Sequence, residues 1–227
     1  MSDVAIKSGG RAEGAFRPGI VILVAAIGIV AFAGMLILGA YGPNLRSGRN
    51  GGAHALSNAA TGYSGIVQLA RATERNPFIV RTEMGLDTDA LVVLTPENGR
   101  AKLDPILRMR NGRPTLVVLP KWETVPDPVR SGWVRSAGLK HPLEVQAVLA
   151  PQYRLKVERH RAGGTALTTV EEHVAELHLT APGSLQTVTG KGWTPIVTGP
   201  AGRIVVAAFG DQPFYVLSDP DLLSNRA

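Results

Sequence analysis

The sequence predicts an α/β protein with an N-terminal transmembrane helix, followed by a mostly parallel sheet that carries an antiparallel, β-rich insertion. Three observations predict this fold class. Ile20–Ala40 is one uncharged apolar run, strand-like and helix-like segments alternate over 57–138, and closely spaced short strands punctuated by Gly and Pro follow over about 141–200. The chain has 227 residues, enough for one sizeable domain beside the membrane segment.

The apolar run at Ile20–Ala40 reads IVILVAAIGIVAFAGMLILGA and has no charged or polar side chain. As a helix it would be about 30 Å long, which is the thickness of a hydrocarbon core. It is longer than the apolar region of a cleaved signal peptide, about 7–15 residues. We therefore expect an uncleaved anchor that binds the lipid bilayer.

Basic residues on the two sides of this run predict its orientation. They are Lys7, Arg11 and Arg17 before the run, and Arg46 and Arg49 after it. This small excess predicts a cytoplasmic tail at 1–19 and a transmembrane helix at 20–41. The expected location is the bacterial inner membrane, with the main domain periplasmic or otherwise extracytoplasmic.

The segment after the anchor begins with a flexible linker at 42–53, rich in Gly, Asn and Arg. The domain at 54–227 then opens with a helix that Ser57 or Asn58 caps and Asn76–Pro77 ends. The apolar runs ALVVL at Ala90–Leu94 and TLVVL at Thr115–Leu119 are typical of central strands buried on both faces. Other elements expected here are a strand at Phe78–Arg81, a helix at Ala101–Arg110, and a loop and helix over Val125–Gly138.

The insertion consists of short strands separated by turn residues. The strands are predicted at Leu143–Leu149, Tyr153–His160, Ala175–Thr180, Leu185–Val188 and Thr194–Val197. Arg203–Phe209 and Phe214–Leu217 then return to the apolar character of the central sheet, as a hairpin through Gly210–Asp211. Asp219–Pro220–Asp221 is a typical helix start, but too few residues follow it to form more than a single turn. We therefore expect the natural protein to extend past Ala227.

Polar residues follow three of the predicted strands, where open α/β sheets bind ligands. They are Glu97 after the first strand, Lys121, Trp122 and Glu123 after the second, and Asp219 and Asp221 after the last. Two interpretations are open. The carboxylates and the lysine can converge to hold a cation or share acid–base work. Alternatively, Asp219, Pro220 and Asp221 are the start of a helix, with Asp219 as its cap.

Composition narrows the classes of function. The net charge is +6 and the pI is about 10.0, with basic clusters at Arg100–Arg113 and Arg154–Arg161 that suit an anionic lipid or an acidic polymer. No aromatic residues interleave with these charges, so we expect no nucleic-acid partner. The absence of cysteine excludes thiolate ligands and cysteine nucleophiles. No nucleotide-binding motif and no metal-ligand spacing among the histidines occurs, so no cofactor and no metal are predicted.

Three segments resemble a known family: GGAHALSNAATGYSGIVQLA, LVVLPKW and YVLSDPDLLSN. Together with the N-terminal apolar helix they resemble bacterial membrane proteins that carry domain of unknown function 4350. That family is similar to the class I glutamine amidotransferase-like and gliding-motility-type domains, which implies a flavodoxin- or amidotransferase-like sheet. In the gliding-motility-type domains a strand leads into an Asp-x-Asp stretch followed by an Asn, and the resemblance implies that Asp219, Asp221 and Asn225 match one version of it. It implies an envelope assembly with a MoxR-type ATPase system, and no catalytic residue.

The function expected from the sequence is therefore noncatalytic. It is a membrane-anchored domain that binds a membrane or envelope protein, or a ligand, near Glu97, Lys121, Trp122, Glu123, Asp219, Asp221 and Asn225. The alternative is a hydrolase or a metal-dependent enzyme that uses the strand-end residues Glu97, Lys121 and Asp219.

Overall fold

The protein was analysed as a computed structural model that describes residues 18–45, 51–129, 133–170 and 178–226. The chain divides into two units, Met1–Arg46 and Ser47–Ala227. Most of the predicted tail, residues 1–17, lies outside the described residues, as does part of the predicted linker, residues 46–50.

The first unit contains helix α1, Pro18–Leu45, whose described side chains are those of residues 19–20 and 22–36. Over the residues that the structure describes, no helix has the length and apolar character needed to cross a membrane. The prediction of a single-pass anchor at Ile20–Ala40 is therefore wrong, and so is the inner-membrane location that depended on it.

The second unit is mostly β structure. Its helices in the described residues are α2 Ser64–Ala72, α3 Asp104–Met109 and α4 Pro142–Gln146. Its strands are β1 Val92–Leu94, β2 Thr115–Val118, β3 Trp122–Pro126, β4 Val134–Leu139, β5 Lys156–Arg161, β6 Ala166–Thr169, β7 Leu179–Thr180, β8 Ser184–Thr189, β9 Trp193–Thr198, β10 Ile204–Phe209 and β11 Phe214–Leu217. Short 3₁₀ turns lie at Glu83–Leu86, Pro151–Tyr153, Pro200–Gly202 and Pro220–Leu222.

The large sheet has the order β1-β2-β11-β10-β9-β6-β7, with β8 pairing with β10 and β5 pairing with β8. Among the described strands, only the β1–β2 and β2–β11 pairs are parallel. The β10–β11, β8–β10, β9–β10, β5–β8, β6–β9 and β6–β7 pairs are antiparallel, and β3 and β4 form a separate antiparallel pair. The architecture is therefore a mixed, mainly antiparallel sheet.

This topology corrects the predicted fold class. The α/β prediction of a mostly parallel, flavodoxin- or amidotransferase-like sheet is wrong, because hydrophobic runs report burial of a strand and not its direction. The residues at about 141–200, predicted as an antiparallel β-rich insertion, form antiparallel strand pairs. Their strands β8 and β9 are hydrogen-bonded to β10 and so belong to the same sheet as β1 and β2.

The two faces of the sheet are buried in two hydrophobic clusters. Along β2, Val117 belongs to the cluster that also includes Val145 of α4, whereas the adjacent Val118 belongs to the cluster on the opposite face. In β11, Val216 and Leu217 divide in the same way. Because successive side chains of a strand point to opposite faces, β2 and β11 are central strands buried on both sides.

Arg110 fixes the segment that leads into β1. Its side chain is fully buried, and its guanidinium donates to the carbonyl oxygens of Leu86 (2.5 Å), Thr88 (3.0 Å) and Ala90 (3.0 Å). The same group donates to the carbonyl oxygen of Pro114 and to the hydroxyl of Thr115, at the start of β2. Residues 86–90 are therefore held against the beginning of the parallel part of the sheet.

Candidate functional site

The polar residues that follow β2 and β11 lie side by side. The two strands are parallel neighbours in the register Leu217↔Val118, and the Leu119 N–H continues the pairing to the Leu217 carbonyl oxygen at 3.0 Å. Lys121 comes two residues later in one chain segment, and Asp219 two residues after Leu217 in the other. The ends of the two strands thus bring a lysine and an aspartate together, as the sequence predicted.

Lys121 and Asp219 form a buried ion pair. The Lys121 Nζ lies 2.8 Å from Oδ2 and 3.0 Å from Oδ1 of Asp219, and both side chains are 0% exposed. The same ammonium donates to Oδ2 of Asp221 at 2.7 Å and to the Ser184 carbonyl oxygen at 2.5 Å. We call Lys121, Asp219 and Asp221 the ion cluster.

Donors from other segments complete the ion cluster. The Gln186 N–H, on β8, donates to Asp219 Oδ2 at 2.7 Å, and the Trp122 Nε1–H donates to Asp221 Oδ1 at 2.6 Å. The Arg226 guanidinium lies 4.5 Å from the centre of the Trp122 ring. Every carboxylate oxygen of the cluster therefore accepts at least one hydrogen bond from within the protein.

The side chain of Gln186 forms hydrogen bonds with several of the segments that surround the ion cluster. Its Nε2–H₂ donates to the carbonyl oxygens of Ser218 (2.6 Å) and Pro120 (3.2 Å), and its Oε1 accepts from Arg159 Nε at 3.0 Å. The Ser218 hydroxyl returns a hydrogen bond to the Gln186 carbonyl oxygen at 2.6 Å. The sequence did not predict a role for Gln186, because its strand reads SLQTVT and a glutamine among such polar residues carries no signal of burial.

Asp219 also caps the 3₁₀ turn at Pro220–Leu222. Its Oδ1 accepts from the Asp221 N–H at 3.0 Å, and Pro220 occupies the first position of the turn. The interpretation of Asp219–Pro220–Asp221 as a helix start is therefore confirmed, in the form of a single 3₁₀ turn. The same carboxylate pairs with Lys121, so the cap and the ion pair are two parts of one arrangement.

Burial shifts the acid–base behaviour of this region. Burial raises the pKa of Asp219, and the Lys121 ammonium and the Gln186 N–H act in the opposite direction. Burial also raises the pKa of Tyr63, and the nearby Asp221 and Asp219 charges add to that rise.

Asn225 fastens the end of the described chain to the segment before α2. Its Nδ2–H₂ donates to the carbonyl oxygens of Ser57 (2.9 Å) and Ala59 (2.6 Å). Its Oδ1 accepts from the Gly65 N–H at 2.7 Å, and its own N–H donates to the Gly62 carbonyl oxygen at 2.8 Å. All these contacts are to residues of the second unit, so Asn225 holds the end of the described chain against the segment before α2.

The remaining candidates lie elsewhere. Glu97 is exposed and sits beside Gly52 and His54, where its charge raises the pKa of His54 against a larger lowering by burial. Glu123 is exposed on β3. Within the described residues, neither carboxylate contacts Lys121 or Asp219, so the predicted rim of Glu97, Lys121, Glu123 and Asp219 does not assemble as one group.

Comparison with known proteins does not assign this chain to a family. No protein-family model matches the chain, and a search among curated proteins returns no match. The resemblance to the family with domain of unknown function 4350 therefore stays a prediction.

Proposed function

We propose that the second unit is a noncatalytic domain that binds a partner protein, and that the ion cluster stabilises its fold. The observation that carries this proposal is the saturation of the Lys121 ammonium and of the Asp219 carboxylate, which accepts four hydrogen bonds. The Lys121 ammonium has oxygen partners on Ser184, Asp219 and Asp221, and a lysine has only three N–H donors. A general base or a metal ligand needs an oxygen lone pair that faces substrate or cation, and this arrangement turns the oxygens toward protein donors.

The lack of solvent access supports the same proposal. A catalytic carboxylate must lie within hydrogen-bond reach of a substrate atom, whereas the side chains of Asp219 and Lys121 are both 0% exposed. Asp221 is only 10% exposed and already pairs with Trp122. The alternative, an enzyme built on Glu97, Lys121 and Asp219, has no comparable support, because Glu97 lies beside Gly52 and His54 and not beside the buried Lys121–Asp219 pair.

A thermal-shift screen of the full-length protein tests the noncatalytic part. Divalent metals and nucleotides are added to the wild type and to Asp219→Asn, which keeps the shape of the side chain. We expect no ligand whose stabilisation depends on Asp219. A ligand that raises the Tm of the wild type but not that of Asp219→Asn would overturn the proposal in favour of an enzyme or a ligand-binding site.

Lysine-reactive crosslinking of the tagged full-length chain in its native host tests the partner-binding part. We expect one protein to be recovered reproducibly with the wild type and equally with Trp122→Phe, which alters only the ion cluster. Recovery of the chain by itself, in the absence of any other protein, would contradict the proposal.

A further inference from the structure

The tripeptide Asn-Gly-Arg occurs twice in the second unit, at Asn98–Arg100 and at Asn111–Arg113. An asparagine that precedes a glycine is prone to spontaneous deamidation, because a residue without a Cβ does not hinder the approach of its backbone nitrogen to the asparagine side chain. The reaction also requires that the fold leave both groups free to move. The two identical tripeptides are therefore a matched pair, in which only the folded surroundings differ.

The tripeptide at Asn111 is open to this reaction. It lies in the turn between α3 and β2, and Asn111 and Gly112 are both exposed. In the part of the chain that the structure describes, the Asn111 side-chain amide and the Gly112 N–H have no hydrogen-bond partner. Apart from the adjacent residues, no atom lies within 4 Å of the position that a Cβ of Gly112 would occupy. The Gly112 nitrogen and the Asn111 Cγ can therefore meet without the loss of a hydrogen bond or a packing contact.

The tripeptide at Asn98 is held in place. Its Oδ1 accepts from the Arg100 N–H at 3.0 Å, and its backbone carbonyl oxygen accepts from the Ala101 N–H at 3.3 Å. Gly99 packs against α4 so closely that an added Cβ would lie 2.1 Å from the Glu144 carbonyl oxygen. Ring closure at Asn98 would break the hydrogen bond to Oδ1 and move Gly99 against the backbone of α4. The fold therefore opposes the reaction here.

We propose that Asn111 is a modification site, at which the folded protein converts asparagine to aspartate and isoaspartate, and that the fold protects Asn98. The deprotonated Gly112 backbone nitrogen attacks the Asn111 Cγ and forms a new C–N bond. The Cγ–Nδ2 bond then breaks, and the side-chain nitrogen takes up a proton from water and leaves as ammonia. The product of this step is a five-membered succinimide.

Water opens the succinimide in one of two ways. Addition of water at Cγ breaks the new C–N bond and gives aspartate with the ordinary main chain. Addition at the backbone carbonyl carbon of residue 111 breaks the original peptide bond and gives isoaspartate, whose main chain runs through Cβ and Cγ. In both cases one water is consumed and one ammonia is released, and no oxidant or reductant takes part.

The carboxylate that forms stays accessible. The Arg110 guanidinium already donates to five acceptors, and Arg113 pairs with Asp87 and Asp89. Both neighbouring cations therefore have partners, and residue 111 itself is exposed. An isoaspartyl carboxyl methyltransferase, which methylates only the isoaspartate product, can consequently serve as a probe of this position.

The test follows the full-length wild type during incubation at mildly alkaline pH, which favours the deprotonated backbone nitrogen. Peptide mass spectrometry measures the conversion at residues 98 and 111 separately, and methyltransferase labelling of each peptide identifies isoaspartate. A third Asn-Gly pair begins at Asn50, outside the described residues, so each rate is read from its own peptide. We expect conversion at Asn111 to be at least about tenfold faster than at Asn98.

A parallel incubation in concentrated urea tests whether the fold causes this difference. Because the two tripeptides are identical, we expect the two rates in urea to agree within about threefold. Circular dichroism checks that the sample without urea stays folded throughout. Equal rates in the folded protein, faster conversion at Asn98, or no conversion at Asn111 would each overturn the proposal. A tenfold difference that persists in urea would also overturn it, because the flanking residues and not the fold would then set the selectivity.

Discussion

Replacing Lys121 by methionine should be among the most damaging single changes in the second unit. Methionine keeps the length and most of the volume of the side chain but removes the ammonium. Asp219 and Asp221 would then face the same position without a cation, and the Ser184 carbonyl oxygen would lose its donor at 2.5 Å. Removing one member of a buried ion pair leaves an uncompensated charge, which costs about 3–5 kcal/mol of unfolding free energy.

Urea unfolding followed by circular dichroism measures this loss. We expect Lys121→Met to lower the midpoint with little change in the m-value, and to lower the Tm by roughly 6–20 °C for a domain of this size. Lys102→Met, at an exposed lysine, is the matched control and should change the unfolding free energy by less than about 0.5 kcal/mol. A loss of less than about 1 kcal/mol in Lys121→Met would refute the reasoning, because a saturated buried ammonium cannot be removed at so small a cost.

Further predictions concern single contacts. Trp122→Phe removes the 2.6 Å bond to Asp221 and should lower the unfolding free energy by about 1.5–3 kcal/mol, measured by urea unfolding. Asn225→Asp removes the two hydrogen bonds donated to the Ser57 and Ala59 carbonyl oxygens and keeps the acceptor of the Gly65 N–H, so hydrogen exchange at the backbone amides of residues 57–62 should accelerate. Arg110→Lys cannot reproduce the fork that serves five acceptors and should cost about 3 kcal/mol in the same unfolding assay. Folding raises the pKa of Asp219 above 3.8. The stabilisation that comes from binding this proton in the folded state is therefore complete below that pH, and it is lost as the pH rises through the pKa of Asp219 in the folded state. Wild type should therefore lose stability relative to Asp219→Asn as pH rises from about 4, and a relative gain would show a depressed pKa instead.

The sequence predicted several strands because their signal is local. Phe214–Leu217 was predicted with its final bounds, and the hairpin through Gly210–Asp211 joins β10 and β11 in antiparallel pairing. Continuous apolar runs of β-branched residues indicate central strands in this way. Phe78–Arg81 has a similar composition but forms no strand, since no neighbouring strand pairs with it in the described residues.

Two elements were predicted with the wrong type, and each has a physical explanation. Leu143–Leu149 was predicted as a strand, yet α4 occupies Pro142–Gln146, with His141 as its cap and Pro142 at its first position. The helix-start residues outweighed a short apolar run that suits either structure. Val125–Gly138 was predicted as a loop and a helix, whereas its two ends pair as β3 and β4. Pairing between segments is a tertiary property that hydrophobic periodicity does not report.

The candidate site was predictable in part. The adjacent ends of two central strands placed Lys121 beside Asp219, and the Asp-Pro-Asp spacing predicted the cap. The contribution of Gln186 and Ser184 depends on hydrogen bonds from β8 to these strand ends, which the sequence alone did not indicate. For the same reason, the sequence alone could not predict that Lys121 and Asp219 have all their hydrogen-bond partners within the protein.

A double-mutant cycle between Lys121→Met and Asp219→Asn tests most directly whether the ion cluster is a structural unit. The unfolding free energies of the wild type, both single variants and the double variant are measured under one set of conditions. We predict a coupling energy of about 1–3 kcal/mol, because removing Asp219's charge relieves much of the penalty for losing the ammonium. Additivity within about 0.5 kcal/mol would contradict the account and would mean that Lys121 and Asp219 do not stabilise the fold as a pair.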